Sequence, residues 1–201
     1  LASYFCVNIS SPNTQGLRDL QARRSLAELL VAIKLERANG KTRHKRDVPV
    51  FLKIAPDLEE AALDDIAAEV QTNGLTGIVV SNTTLSRTGL KSAHSQESGG
   101  LSGEPVFERS TIVLAKMRMR VGPDMPLIGV GGVNDTASAL AKIEAGADLV
   151  QLYTGMIYEG PGIARLINRG LSEALDRTGA NSIADFRGAR LAEWAGKDIP
   201  S

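Results

Sequence analysis

The chain has 201 residues, is 43% hydrophobic and 23% charged, and balances 23 basic against 23 acidic side chains for a formal net charge of zero. That balance gives no support to a nucleic-acid partner or a basic membrane-facing surface. A single cysteine excludes an internal disulfide framework, and no apolar run approaches the length of a membrane-spanning helix.

The chain opens almost directly on an apolar run, Tyr4 to Ile9, with no initiator Met and no charged leader, which suggests the C-terminal portion of a longer protein. The run reads as a buried strand, and Cys6 within it as a small buried hydrophobe. It breaks into Asn8-Ile9-Ser10-Ser11-Pro12-Asn13-Thr14-Gln15-Gly16. Taken alone, this stretch reads as an ordinary turn, because Ser, Pro and Asn favour turns for backbone reasons. Its amides and hydroxyls also suit a small, planar, polar ligand. A helix is expected over Leu20 to Ala38, with Leu26, Leu29, Leu30 and Ile33 at helical spacing and Gly40 as its stop. The basic stretch Lys41 to Arg46 around His44 reads as an exposed loop.

The second apolar run, Val50 to Ile54, holds Lys53 between Leu52 and Ile54. A lysine in a buried strand is costly to desolvate unless its charge is used, so an anionic partner would explain it. The plain alternative is a lysine snorkelling from a strand end. Asp57-Leu58-Glu59-Glu60 reads as an N-cap with a carboxylate three residues on, opening a helix through Val70 that Gly74 ends. A third run, Gly77 to Val80, ends in Ser81-Asn82-Thr83-Thr84. The long polar segment behind it, with His94 read as solvated, closes in Gly99-Gly100-Leu101-Ser102-Gly103. Those glycines let backbone N–H groups approach a ligand, or make a plain flexible loop.

A helix over Glu108 to Val121 leads to a fourth run, Leu127 to Val130. Its end is Gly129-Val130-Gly131-Gly132-Val133, with Asn134-Asp135 as the cap of a helix through Glu144. The fifth run, Leu149 to Tyr153, ends in Tyr153-Thr154-Gly155. An amphipathic helix follows over Ile163 to Leu175, then short helical turns over Ile183 to Trp194.

The alternation of strand and helix predicts an α/β fold with a parallel sheet and right-handed crossovers. Each run is continuous rather than alternating, as strands covered on both faces should be. A doubly wound sheet and a (β/α)8 TIM barrel both fit. Five units are too few to close a barrel of about 250 residues. On the barrel reading, residues 1–201 are a single domain that contributes strands four to eight. The glycine turn after the penultimate strand suits a phosphate. It does not match the G-x-G-x-x-G spacing, which argues against a dinucleotide site. No His, Cys or carboxylate cluster suggests a catalytic metal.

The strand-end motifs occur in a distinctive order and spacing. They are Asn8-x-Ser10-Ser11-Pro12-Asn13-Thr14-x-Gly16-Leu17-Arg18, Lys53-Ile54-Ala55-Pro56-Asp57, Ser81-Asn82-Thr83-Thr84, Gly99-Gly100-Leu101-Ser102-Gly103, Gly129-Val130-Gly131-Gly132-Val133 and Gln151-Leu152-Tyr153-Thr154. Over nearly its whole length the chain resembles the class 2, quinone-linked dihydroorotate dehydrogenases. The resemblance implies a (β/α)8 barrel holding FMN at its C-terminal face. It implies oxidation of dihydroorotate to orotate in pyrimidine (UMP) biosynthesis, with electrons passing through FMN to a membrane quinone.

Residue by residue, the resemblance makes Ser11 the catalytic base, where class 1 relatives carry Cys. Serine is a poor base alone and needs a water or a neighbouring hydroxyl to take the proton onward. Asn8 would meet both flavin and substrate, and Asn13, Asn82 and Thr83 the orotate ring and carboxylate. Lys53, Ser81 and Gly103 would contact FMN, with Ser81 standing where some members have Thr. Gly132, Tyr153 and Thr154 would hold the phosphate. The family's N-terminal helices, which form the quinone tunnel and a peripheral membrane contact, and strands one to three are expected to lie outside these residues. The 201 residues alone are therefore not expected to hold FMN tightly or turn over. The implied location is the cytoplasmic side of a bacterial cell membrane, or the mitochondrial inner membrane in a eukaryote. The alternatives are a class 1 enzyme with a soluble acceptor, a flavin-free phosphate-binding barrel isomerase or lyase, and an inactive barrel fragment that only binds a partner.

Overall fold

The computed structural model describes residues 2–200. Five parallel strands, β1 (Phe5–Asn8), β2 (Val50–Ile54), β3 (Gly77–Val80), β4 (Leu127–Val130) and β5 (Leu149–Gln151), lie side by side in chain order. Every strand pairs with its chain neighbour and the order never reverses. A doubly wound sheet reverses at a switch point, whereas a barrel winds one way. The sheet is therefore an arc of a (β/α)8 barrel. The register sets Asn8 beside Lys53, Ile54 beside Val80 and Val130 beside Gln151, so the C-terminal strand ends share one rim.

Side chains alternate across the sheet. Leu52, Ile54, Ile78, Val80 and Leu127 face the helices and pack into the main core with Leu26, Leu63, Ile66, Ile112 and Met117. Phe51, Val79 and Ile128 pack on the opposite, inner face. Lys53, two residues after Phe51, shares that inner face at the rim.

The helices are α1 (Arg23–His44), α2 (Glu60–Thr72), α3 (Phe107–Val121), α4 (Thr136–Glu144), α5 (Thr154–Glu159), α6 (Ile163–Thr178) and α7 (Leu191–Ala195). Short 3-10 turns occupy Leu17–Gln21, Glu104–Val106 and Ile183–Phe186. Asp135 caps α4 as expected, its carboxylate accepting the Ser138 N–H at 2.7 Å. None of the described helices is long and apolar enough to cross a membrane.

Several expectations need correction. Gly40 does not stop α1, which runs on to His44 and ends at Lys45 in the left-handed region with φ 52°. Arg37 and Lys41 both reach Asp47, at 2.8 and 3.0 Å, and hold that last turn in place. His44 thus sits at a helix C-terminus, where cations are favoured, rather than in a loop. Asp57 does not cap α2, because its carboxylate is engaged elsewhere; Glu59 takes the cap position without a side-chain hydrogen bond. The fifth run is a strand only to Gln151, and Thr154 opens α5, a helix absent from the sequence reading.

The first run is not a buried strand either. Phe5 in β1 is 55% exposed and Leu149 in β5 is 62% exposed. Cys6 is a free, exposed thiol rather than a buried hydrophobe. The cause is topological: β1 and β5 are the two edges of the sheet, and their outer sides have no strand partner among the described residues.

Candidate functional site

A cavity of about 810 Å³ opens at the C-terminal rim. Lys53, Ser81, Asn82 and Thr83 form one wall, from the ends of β2 and β3. Gly103, Gly132, Tyr153 and Thr154 form the other, so the rim gathers residues spread over a hundred positions of chain. Asn8, Ser11 and Asn13 do not line the cavity. Asn8 adjoins it through its Oδ1, which accepts from Asn82 Nδ2 at 3.1 Å and lies 3.0 Å from Ser10 Oγ. Ser11 is half-buried in the loop above, its Oγ accepting the Asn13 N–H at 3.3 Å, and Asn13 is exposed.

Ser10 is the member of this cluster that the sequence reading passed over. It is fully buried. Its Oγ donates to the Lys53 carbonyl at 2.8 Å and meets Asn82 Nδ2 at 3.1 Å. Asn8, Ser10 and Asn82 thus form one polar triangle beside Lys53. Its sequence signal is the spacing Asn8-x-Ser10, since an Asn side chain readily bonds groups two residues on. Asn82 is further fixed by its Oδ1, which accepts the Thr83 N–H at 2.8 Å.

A second missed group holds these loops together. Arg18 donates from Nε to the Ser10 carbonyl at 3.1 Å, from Nη1 to Asp57 at 2.9 Å and from Nη2 to the Thr83 carbonyl at 3.0 Å. Asp57 also accepts from the Leu85 N–H at 2.9 Å and the Thr84 hydroxyl, and faces Arg109 at 3.5 Å. Arg18 therefore fastens the loop after β1 to the loop after β3, with Asp57 as its counter-charge. Close packing does the same one layer up. A Cβ on Gly100 would fall 1.8 Å from Thr83 Oγ1 and 2.8 Å from Pro12 Cγ, so only glycine lets the segments meet.

The far end of the cavity is built from backbone. Gly131 and Gly132 have φ of 116° and 71°, and a Cβ on Gly132 would lie 2.4 Å from Phe107 Cβ. Turns of this kind form concavities that receive anions. Thr154 Oγ1 donates to Ser102 Oγ at 2.9 Å and closes that wall. Behind the turn lies Lys142, fully buried, whose Nζ donates to Ser110 Oγ at 2.6 Å, Thr111 Oγ1 at 2.8 Å and the Phe107 carbonyl at 3.3 Å. Burial pushes its ammonium well below the usual lysine range.

Cys6 is not an activated nucleophile. Neighbouring atoms desolvate its sulfur enough to raise the thiol pKa, outweighing the lowering effect of the Lys53 charge. Among the described residues no group of His, Cys, Asp or Glu side chains is placed to hold a metal ion. The arrangement combines a cation, amides and hydroxyls with a glycine-built anion end, which suits a polar planar molecule carrying a phosphate.

Comparison with known proteins shows the family to which the chain belongs. The family model for dihydroorotate dehydrogenase matches residues 1–175. A dihydroorotate dehydrogenase (quinone) from Brucella ovis is 60% identical over 202 residues, an alignment covering 100% of this chain and 56% of the relative. The enzyme of the same name from Rhizobium etli is 60% identical over 200 residues, 99% of this chain and 55% of the relative. The chain thus spans a little over half the length of these relatives. Among solved structures, Eimeria tenella DHODH in complex with ferulenol superposes with a TM-score of 0.88 at 35% identity, covering 94% of this chain and 54% of that one.

Proposed function

Because the chain belongs to the dihydroorotate dehydrogenase family, we propose that it supplies strands four to eight and the C-terminal rim of a quinone-dependent, FMN-binding barrel enzyme that oxidises dihydroorotate to orotate. The observation that carries this is one cavity walled by Lys53, Asn82 and Thr83 on one side and Gly132 and Thr154 on the other.

The residues fit FMN at both ends. The positive-φ turn at Gly131 and Gly132 packs against Ser110 and Phe107 more closely than Cβ atoms would permit, and its backbone suits the phosphate together with Tyr153 and Thr154. Lys53, with Ser81 and Gly103, suits the ring. When bound, the flavin would supply a hydride acceptor for C6 of dihydroorotate. Lys53, as a fixed cation, stabilises negative charge that gathers on a reduced ring. Asn8, Asn13, Asn82 and Thr83 orient the substrate ring and carboxylate by hydrogen bonds. The Asn82 amide nitrogen donates to Asn8 and Ser10, so a ligand exchanges those bonds rather than meeting an unpaired group. Ser11, in the loop above the rim, takes the C5 proton and passes it on. Membrane contact and the quinone entry belong, on this reading, to the portion of the relatives that the chain does not span.

The test uses the full-length protein. Anaerobic dihydroorotate should bleach the flavin absorbance, and a quinone should restore it faster than fumarate or NAD. Flavin that stays oxidised in the presence of dihydroorotate rejects the reading. Re-oxidation preferring fumarate or NAD would favour a class 1-type acceptor.

A further inference from the structure

Lys142 is a charged residue that the reaction above does not use. It lies on α4, is 0% exposed, and joins no ion pair among the described residues. The acidic neighbours on its own and the adjoining helix are engaged elsewhere: Glu144 faces Arg190 at 3.5 Å and Glu108 faces Lys197 at 3.9 Å. Its three hydrogen bonds match the three protons of an ammonium. Thr111 Oγ1 directs its own proton to the Phe107 carbonyl at 2.6 Å, and Ser110 Oγ lies 3.1 Å from that carbonyl, so both hydroxyl oxygens are free to accept from Nζ. The Phe107 ring lies 5.0 Å from Nζ and adds a weak cation–π contact. An ammonium here sits beside the first turn of α3, the end of that helix that disfavours a cation, while Lys142 belongs to the last turn of α4, so the helix dipoles supply no net counter-charge. Buried charge without a counter-charge is strongly unfavourable.

The missing counter-charge has a place. Ser110 Oγ, 2.6 Å from Nζ, lies 3.4 Å from the Gly131 carbonyl, and a Cβ on Gly131 would fall 2.6 Å from that same Oγ. The ammonium therefore stands directly behind the glycine turn, separated from the cavity by one hydroxyl and one peptide.

Resting on the FMN reading, we propose that Lys142 is a buried electrostatic anchor for the phosphate. The anion on the Gly131–Gly132 turn supplies the counter-charge that the fold withholds, and Lys142 thereby selects a flavin bearing a phosphate over one without. It is a positioning residue, since it acts through Ser110 and the turn and does not line the cavity.

The experiment titrates flavin-stripped full-length protein with FMN and with riboflavin, following quenching of flavin fluorescence, for wild type, Lys142→Met and Lys142→Gln. Both variants remove the charge; the glutamine keeps hydrogen-bonding capacity. FMN affinity should fall by about tenfold, as expected for loss of a nearby charge in a partly buried site, while riboflavin affinity is unchanged. Apoprotein melting should not fall for Lys142→Met, because an uncompensated charge has been replaced by an apolar chain of similar length. An unchanged FMN-to-riboflavin preference overturns the proposal. So does an equal loss of both flavins, or failure of both variants to fold, since either makes Lys142 structural. Wild-type protein that binds neither flavin overturns the FMN reading itself, an outcome separate from the other three.

Discussion

Ser10 and Ser11 are adjacent and have opposite surroundings. The Ser10 hydroxyl is fully buried among three polar groups, whereas Ser11 is half-buried and its hydroxyl, among the described residues, meets the neighbouring Asn13 N–H. A reacting hydroxyl needs access, and one that fixes a backbone needs burial. Ser11→Ala in the full-length protein should therefore abolish flavin reduction by dihydroorotate in stopped-flow while FMN stays bound. Reduction at the normal rate would show that another group is the base. Ser10→Ala should instead lower stability by about 1–3 kcal/mol, read as a drop in melting temperature, because Lys53 and Asn82 lose a buried partner. Arg18→Lys should raise the KM for dihydroorotate more than it lowers kcat, since one ammonium cannot reproduce three directional N–H bonds. An unchanged KM would detach Arg18 from the substrate loops. The side chains of the opening loop were legible in the sequence because their types announce hydrogen bonding. The Arg18–Asp57 pair was not, because nothing in spacing links positions 39 apart.

The helix ends show the same division between local and distant causes. Asp135 capped α4 as read, because a capping box is a contact over three residues. Asp57 had the same local signature and was drawn away by Arg18, Thr84 and Arg109, which a local pattern cannot anticipate. Glycines divide likewise. Gly40 lies within α1 with nothing within 4 Å of a Cβ, so Gly40→Ala should stabilise the protein by about 0.5–1 kcal/mol in denaturant melts. Gly132→Ala should shed flavin, because φ 71° and a 2.4 Å approach to Phe107 forbid a methyl without moving the turn. If both substitutions behave alike, the turn is not the constraint. α2 and α3 are tied by Glu60, whose carboxyl is held below its usual range first by its Lys116 hydrogen bond and also by Arg120. Its folded pKa is depressed, so its contribution is complete above the ordinary value of 4.5 and is lost as pH falls below it. Glu60 is half exposed, so screening keeps this contribution under about 1 kcal/mol. Lys116→Met should correspondingly flatten the acid limb of the melting curve.

The alternation of parallel strands and helices was readable from five apolar runs, but the one-way winding and the exposure of the outer two strands were not. A strand rich in apolar residues records burial in the protein that selected it. β1 and β5 carry such sequences and yet leave Phe5, Leu149 and, beyond β5, Tyr153, Ile157 and Tyr158 largely exposed. A side-chain bond, Gln151 Nε2 to the Tyr4 hydroxyl at 3.1 Å, links the two edges, and among the described residues no backbone ladder runs between them. Exposed apolar edges with open N–H and C=O rows are what further strands would cover. The relatives have length to provide them, since the chain spans 56% of the Brucella ovis enzyme. We propose on this ground that strands one to three complete the barrel and close the flavin cavity. Residues 1–201 expressed alone should then purify without stoichiometric flavin and aggregate through the edges. Co-expression with the preceding portion of a quinone-dependent relative should give a soluble yellow complex. A stoichiometric yellow protein from the 201 residues alone would show that this rim holds the cofactor without the rest of the barrel.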